Sequence, residues 1–473
     1  MIHQYKNNGY NIVMDVNSGS VHVVDDCVYD VIPRIEECIN NGVKEKEGIL
    51  TALKAERSGE GQQSGKEQLS EKKLSYTEQE LEEAVEEILE LYEAGQLFTE
   101  DIYENYIGDF KNRQTVVKAL CLHIAHDCNL ACRYCFAEEG EYHGRRALMS
   151  FEVGKKALDF LVANSGSRVN LEVDFFGGEP LMNWQVVKDL VAYARSLEPI
   201  HNKNFRFTLT TNGVLLDDEV IDFCNEEMHN VVLSLDGRKE VHDRFRKDYA
   251  GNGSYDTIVP KFQHFVERRG DKSYYIRGTY THYNTDFVND ILHMADLGFR
   301  NVSVEPVVGE ETCGYALKDE DLPVVLEQYE KLAEKLKDRA DVNFFHFNVD
   351  LAQGPCVIKR LRGCGAGCEY VAVTPEGDIY PCHQFVGNPA YKIGSLSDGS
   401  FDMELSHRFS CLNIYTREEC RDCWARFYCS GGCSASNLLV NGDIKKPNHV
   451  GCEMERKRLE CAIALKALAA GMG

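Results

Sequence analysis

Residues 126–139 read HDCNLACRYCFAEE, and the rest of the chain is best read outward from them. Cys128, Cys132 and Cys135 stand in a C-x3-C-x2-C spacing with the aromatic Tyr134 beside the last thiol. Three thiolates on one short loop can hold three irons of a [4Fe–4S] cluster, leaving the fourth iron open to a small chelating ligand. The same thiols also suit a zinc knuckle completed by a distant ligand such as His126 or His143.

The loop follows a strand-like stretch at 119–125, and the rhythm repeats at 170–176, 205–210, 230–235, 274–281 and 301–305. Helical periodicity lies between, at 151–165, 184–198, 216–226, 256–269 and 286–297. The alternation predicts an α/β fold with a parallel sheet. Six such strands fall short of the eight of a closed barrel, so a partial (β/α)6 barrel, open on one side, is expected. Polar, glycine-containing clusters close successive strands: Gly177-Gly178-Glu179-Pro180, Thr211-Asn212-Gly213, Ser234 with Asp236-Gly237, then Arg277, Thr279 and Thr281, and Glu305-Pro306. In a parallel barrel the C-terminal strand ends face one site, so these groups are expected round one cavity with the cysteine loop.

Composition narrows the class. The chain has 473 residues, 43% hydrophobic and 27% charged, which excludes wholesale disorder and implies several domains. Its formal charge of −24 argues against a nucleic-acid backbone as partner, and no apolar run is long enough to span a membrane. The first ten residues lack the apolar core of a secretion signal, so a cytoplasmic location is expected. In that compartment 19 cysteines point to metal ligation or thiol chemistry more than to disulfides.

The first hundred residues read as a separate unit. NIVMDVNSGSVHVVD, residues 11–25, alternates as a hairpin; a helix is expected near 30–41, a mobile loop over 55–75, and a second helix opened by the Thr77/Glu80 capping box and closed at Gly95. With a short wing strand at Leu97-Phe98, this predicts a winged-helix-like module with an exposed sheet edge, able to take up a peptide as an added strand. A structural cap or dimerisation domain is the alternative. Residues 320–339 read as a charged helix and 453–470 as an amphipathic one. The region 356–452 is cysteine-dense: Cys420-x2-Cys423-x5-Cys429-x3-Cys433, then Cys452, with Cys364, Cys368 and Cys382 upstream. A pair of zinc ribbons is one reading of that spacing. The expected domains are 1–108, 109–312, a bridging segment 313–355, and 356–473.

These motifs resemble the radical S-adenosylmethionine superfamily, whose signature is the C-x3-C-x2-C loop with an aromatic before the last cysteine. The resemblance implies that Cys128, Cys132 and Cys135 hold the catalytic cluster and that Gly177, Gly178 and Glu179 receive the methionine amino group. It places Thr211, Asn212 and Ser234 near the methionine carboxylate and ribose. His242-Asp243-Arg244-Phe245-Arg246 is similar to a stretch of peptide-modifying members in which an arginine contacts the cofactor, here assigned to Arg246 over Arg244. The C-terminal cysteines resemble a SPASM domain with two auxiliary [4Fe–4S] clusters. Cys420, Cys423, Cys429 and Cys452 would hold the outer one; Cys382 and Cys433 the inner, with Cys364 and Cys368 as further candidates. Cys368 stands closer to Gly377 than the pattern allows, which leaves the fourth inner ligand open. The other eight cysteines, Cys27, Cys38, Cys121, Cys224, Cys313, Cys356, Cys411 and Cys461, are expected as small hydrophobes or incidental thiols.

Taken together, the chain resembles the maturases of "six cysteines in forty-five" peptides. That resemblance implies three [4Fe–4S] clusters and S-adenosylmethionine, an external electron donor such as flavodoxin or ferredoxin, and a cysteine-rich precursor peptide whose leader binds the N-terminal module. The implied product carries cysteine-to-carbon thioethers. Other readings are another SPASM peptide oxidase (formylglycine-forming or carbon–carbon cross-linking), a redox sensor, and a non-catalytic zinc-stabilised scaffold.

Overall fold

The computed structural model describes residues 1–58, 75–108, 115–142, 144–310, 312–352 and 357–471. The N-terminal alternation produces a three-stranded antiparallel sheet, β1 (Ile2–Asn7), β2 (Tyr10–Asp15) and β3 (Val21–Val24), with β2 in the middle. The hairpin register pairs Met14 with Val21 and Ile12 with Val23, as the alternation requires. Three helices follow: α1 (Asp26–Asn40), α2 (Lys46–Ser58) and α3 (Glu78–Glu93). The capping box at the start of α3 is formed, Thr77 N donating to Glu80 Oε2 at 2.7 Å and Glu80 N to Thr77 Oγ1 at 3.2 Å.

Two expectations for this module change. The loop expected over 55–75 starts inside α2, and residues 59–74 lie outside the described residues. No wing strand forms at Leu97-Phe98. Phe98 adopts φ +57°, which ends extended backbone, while Leu97 turns into the module's core. The module is thus a sheet of N-terminal strands backed by helices, without the wing of a winged helix.

The larger sheet is built on six parallel strands: β4 (Ala119–His126), β6 (Asn170–Gly177), β7 (Asn204–Thr211), β8 (Met228–Ser234), β9 (Tyr274–Tyr280) and β10 (Asn301–Pro306), side by side in chain order. The short β5 (Ala147–Leu148) pairs antiparallel with β4. Helices Phe151–Asn164, Trp184–His201, Asp218–Glu227, Tyr255–Arg269 and Phe287–Asp296 connect them. One face is apolar and lies under helices: Leu171, Val173 and Phe175 on β6, Phe205, Phe207 and Leu209 on β7, Val231 and Leu233 on β8. Burying each such side chain contributes on the order of 1.5–3 kcal/mol. The alternate positions, Asp174, Thr208 and Ser234 among them, take the other face. β8 starts two residues before its expected position, because the helix Asp218–Glu227 runs straight into it at Met228. A short helix, Lys239–Phe245, was not expected.

The sheet stays open. β11 (Asn343–Phe344) extends the β10 edge, and β12 (Tyr370–Val373) lies parallel beside β4. The antiparallel β13 (Asp378–Tyr380), β14 (Gly394–Ser395) and β15 (Ser400–Phe401) continue from β12, so the cysteine-rich C-terminal region grows from the strand that carries the first cysteine loop. The C-terminal helix His449–Ala469 packs on β1 and β3, with Leu459, Ile463 and Ala467 against Tyr5, Ile12 and Met14. Among the described residues no helix is long and apolar enough to cross a membrane.

Asp15, fully buried, closes the N-terminal module. Its carboxylate accepts from Asn17 N and Ser18 N at 3.0 Å, Thr99 N at 2.9 Å and Thr99 Oγ1 at 2.6 Å. Asp15→Ala strands these donors, and amide exchange at Asn17, Ser18 and Thr99 is expected to speed up by about tenfold or more, measured by hydrogen-exchange mass spectrometry.

Candidate active site

The site begins where β4 and β6 end side by side. Gly178 N donates to Ala125 O at 2.7 Å and Glu179 N to Asp127 O at 2.8 Å, so the turn after β6 is fastened to the backbone leading into the cysteine loop. A Cβ on Gly177 would sit 2.3 Å from Ala125 O, and one on Gly178 2.1 Å from Asp127 O. Gly177 also has φ +125°. Both glycines are therefore demanded by the close approach of two backbones.

Glu179 is fully buried behind this turn. Its carboxylate accepts from Leu181 N (3.0 Å), Thr211 Oγ1 (2.8 Å) and Asn212 N (2.7 Å). Burial pushes its pKa up to about 7 against the pull of these three bonds. The side chain thus holds the end of β7, while the wall of the cavity is made by Gly177 and Gly178. Asn212 reaches back to the loop, Nδ2 donating to Asn129 Oδ1 at 2.7 Å and lying 3.6 Å from Cys128 Sγ.

The strand ends converge as the parallel sheet dictates. A cavity of about 210 Å³ is walled by Cys128, Cys132 and Cys135 and by Thr211, Asn212, Ser234, Arg277, Thr279 and Glu305. Arg246 lines it too; Arg244 points away and lies over the Tyr283 ring. Asp236, just past β8, was expected near the cavity as part of a polar strand end, but its partners were not. It is 1% exposed and accepts from Arg246 Nε (3.0 Å), Arg246 Nη2 (3.1 Å), Tyr134 OH (2.5 Å) and Thr279 N (3.0 Å). His383, next to Cys382, reaches the same cavity and stacks near Phe136 and Phe176.

His126, the nearby alternative ligand, is engaged elsewhere. Its Nε2 lies 3.0 Å from His123 Nδ1, it stacks on Tyr142, and burial lowers its pKa to about 4. His143 lies outside the described residues. Among the described residues no three His, Cys, Asp or Glu side chains close round one point as single-ion ligands would. The thiols are spread over cavity walls, an arrangement that suits a cuboidal cluster. Burial pushes the Cys132 thiol up to about 12 and opposes ionisation, which ligation to a metal would reverse.

The second cysteine field divides in two. Cys420, Cys423, Cys429 and Cys452 line one cavity of about 420 Å³, with Arg426, Glu455 and Arg456 among its walls. Cys364 and Cys433 lie near enough to Cys382 to help burial raise its pKa, which brings the three together as a second group. Cys368, buried, accepts from Arg362 Nη2 at 2.7 Å and donates to Gly365 O at 3.3 Å. Of the eight remaining cysteines, Cys27, Cys121, Cys224 and Cys461 are buried, Cys38, Cys313 and Cys411 partly so, and Cys356 lies outside the described residues.

Comparison with known proteins agrees with this layout. The Radical SAM superfamily model matches residues 122–271, and the SPASM iron-sulfur cluster-binding domain matches 364–424. A cysteine-type anaerobic sulfatase-maturating enzyme of Clostridium perfringens is 27% identical over 65% of this chain and 85% of its own length. The structure of anSMEcpe with bound AdoMet and Cp18Cys peptide superposes with a TM-score of 0.61 at 22% identity, covering 75% of this chain and 99% of the other. Streptococcus suis SuiB bound to precursor peptide SuiA gives 0.52 at 16% identity, covering 95% and 98%. The similarity runs through the barrel and continues into the cysteine field, which makes the chain a radical S-adenosylmethionine enzyme with a SPASM domain, related to the anaerobic sulfatase-maturating enzymes.

Proposed function

We propose that the chain installs thioether bonds between cysteine sulfur and carbon in a ribosomally made, cysteine-rich precursor peptide, using S-adenosylmethionine and three [4Fe–4S] clusters. Bound at Cys128, Cys132 and Cys135, a reduced cluster with S-adenosylmethionine supplies a 5′-deoxyadenosyl radical able to remove a hydrogen atom from an unactivated carbon. Gly177 and Gly178 present backbone to the methionine end of the cofactor. Thr211, Asn212 and Ser234 form the polar wall beside it, and Arg246 brings a positive charge. Phe136, Phe176 and His383 close the cavity with rings that exclude water. An external flavodoxin or ferredoxin delivers electrons.

The observation that carries thioether formation is the inner cysteine group. It is taken as Cys364, Cys382 and Cys433, since Cys368 stands closer to Gly377 than the family pattern allows. A cluster held there by three protein thiols would have its fourth position free for a peptide cysteine. Ligation of that kind deprotonates a thiol whose free pKa is about 8.5 and fixes the sulfur for bond formation. Cys420, Cys423, Cys429 and Cys452 hold the outer cluster, a reservoir for the second electron that an oxidation releases.

Peptide delivery falls to residues 1–108, followed by the barrel at 109–312, the bridging segment 313–355 and the SPASM region 356–473. In the N-terminal sheet β1 and β3 are each paired on one side, so an extended leader can add a strand there. Nearly all of the chain has a counterpart in peptide-bound SuiB, which supports a peptide substrate. The relationship to sulfatase-maturating enzymes favours a second reading, oxidation of a cysteine to formylglycine, in which the sulfur leaves the peptide.

Anaerobic incubation with a cysteine-rich peptide, S-adenosylmethionine and reductant, followed by tandem mass spectrometry, separates the readings. A thioether product is lighter by two hydrogen atoms per bond and has one fewer alkylatable cysteine; formylglycine lacks the sulfur. Iron analysis tests the ligand sets: about twelve irons per chain are expected, for three four-iron clusters. Cys368→Ala should keep them and its activity. Cys382→Ala should lose about four irons. Replacing Cys128, Cys132 and Cys135 together by Ala should lose as many and end 5′-deoxyadenosine formation. Glu179→Gln puts an amide NH2 against the Leu181 or Asn212 N–H, and cofactor affinity is expected to fall by about tenfold, read by equilibrium binding.

A further inference from the structure

The stretch His242–Arg246 is zipped to the cysteine loop by its backbone. Ala131 N donates to Lys247 O at 2.7 Å and Arg133 N to Phe245 O at 3.2 Å, one bond on each side of Arg246. The rings of Phe245 and Tyr134 meet at 5.1 Å, and the Arg246 guanidinium lies 5.5 Å from the Tyr134 ring centre. Arg246 and Cys132 line the same cavity, so one cation faces the thiols of the radical centre. Asp236 fixes the direction of that cation. Its two oxygens take both edges of the Arg246 fork at 3.0 and 3.1 Å, and they also bind Tyr134 OH from the cysteine loop and Thr279 N from β9. Three elements therefore meet on one carboxylate that is 1% exposed. A charge pair so far from water is governed by its partner geometry, since removing one member leaves the other buried and uncompensated.

We propose that Asp236 is the positioning residue of the radical centre: it aims Arg246 at the Cys132 thiolate and at the cofactor's space, and so sets both the reduction potential of that cluster and the affinity for S-adenosylmethionine. This rests on the assignment of Cys128, Cys132 and Cys135 to the radical centre. Removing the negative charge of Asp236 favours the more negative, reduced state of a cluster beside it, so the midpoint potential rises. A fork no longer held at two points also loses its aim, and cofactor binding weakens.

The test uses the full-length holoprotein, prepared without oxygen. The cluster of interest is the one whose electron paramagnetic resonance signal changes when S-adenosylmethionine is added, and its potential is followed by redox titration. Asp236→Asn is expected to raise that potential and weaken S-adenosylmethionine binding by about tenfold, the cost of one charged hydrogen-bond partner. Asp236→Asn should add nothing to the binding loss caused by Arg246→Gln, because the aspartate acts through the arginine. Asp101→Asn removes a similar partner set, Arg426 and Tyr415, at the outer cysteine loop and must leave the radical centre's potential at its wild-type value. Should Asp236→Asn fail to fold, Asp236→Glu carries the test: with the charge kept and the stem lengthened, binding weakens and the potential moves away from its wild-type value as the arginine loses its aim. An unchanged potential and affinity in Asp236→Asn, an equal shift in Asp101→Asn, or additive losses with Arg246→Gln each overturn the role of Asp236. A wild-type protein whose signal ignores S-adenosylmethionine overturns instead the assignment of the cysteine loop.

Discussion

The site depends on the contact between two pieces of backbone. The end of β6 lies so close to the start of the cysteine loop that Gly177 and Gly178 leave no room for a Cβ, and two amide-to-carbonyl bonds lock the pair. Every other feature is placed from there. The cysteine loop inherits the position of β4, the buried Glu179 carries that position to the end of β7, and Asp236 carries it from β8 to β9 and Arg246. The cavity wall is thus a continuous ring of hydrogen bonds joining strand ends, with the thiols on its inner side. Preorganisation of this kind lets a fixed arrangement of donors replace water around a charged cofactor.

Much of this was legible because it rests on local rules. Alternation located the six strands; GGEP was recognised through its resemblance to a family motif, and the approach of Ala125 and Asp127 gives that motif its physical reason. The capping box at Thr77 and the stop at Gly95 are likewise short-range. What escaped the sequence involves distant partners. Asp236 could be placed at a strand end near the cavity, but its partners Tyr134 and Arg246 come from 102 and 10 residues away. Glu179 was expected to face the cofactor, yet three donors supplied by its own turn and by β7 hold its carboxylate inward. Leu97-Phe98 has strand-like composition, but an apolar pocket for Leu97 and the Asp15 carboxylate at Thr99 settle its path. Cys364 and Cys368 differ in the sequence only by their spacing to Gly377; the Arg362 side chain that meets Cys368 comes from six residues upstream.

Charge distribution ties the cavities together. The chain is strongly acidic overall, yet arginines stand against cysteine groups at several places: Arg246 at the first loop, Arg362 at Cys368, Arg426 and Arg456 at the outer cavity. Thiolate-rich clusters carry net negative charge, and an interior of low dielectric makes each nearby cation count. Arg277 and Glu305, an ion pair on the cavity wall, continue the pattern: Glu305 lies 3.7 Å from His346, which bonds Arg458, whose partner Glu455 lines the outer cavity. A chain of charged side chains, linked by the neutral His346, thus connects the radical site with the outer cysteine site.

The N-terminal module is joined to that outer site with equal intimacy. His3 stacks on Trp424 at 3.8 Å with a 4° interplanar angle, and Arg426, between Cys423 and Cys429, donates to Asn17 and Asp101. Tyr415 also bonds Asp101, while β1 and β3 lie on the helix that supplies Cys452. The segment that would receive a leader and the loop that would hold a cluster therefore share one hydrophobic core. On the proposed function, rigid coupling of this sort would give a tethered peptide a defined starting point, with an effective concentration at the cavity set by the length between leader and cysteine. Spacing within the precursor would then govern which cysteine reaches the inner thiol group.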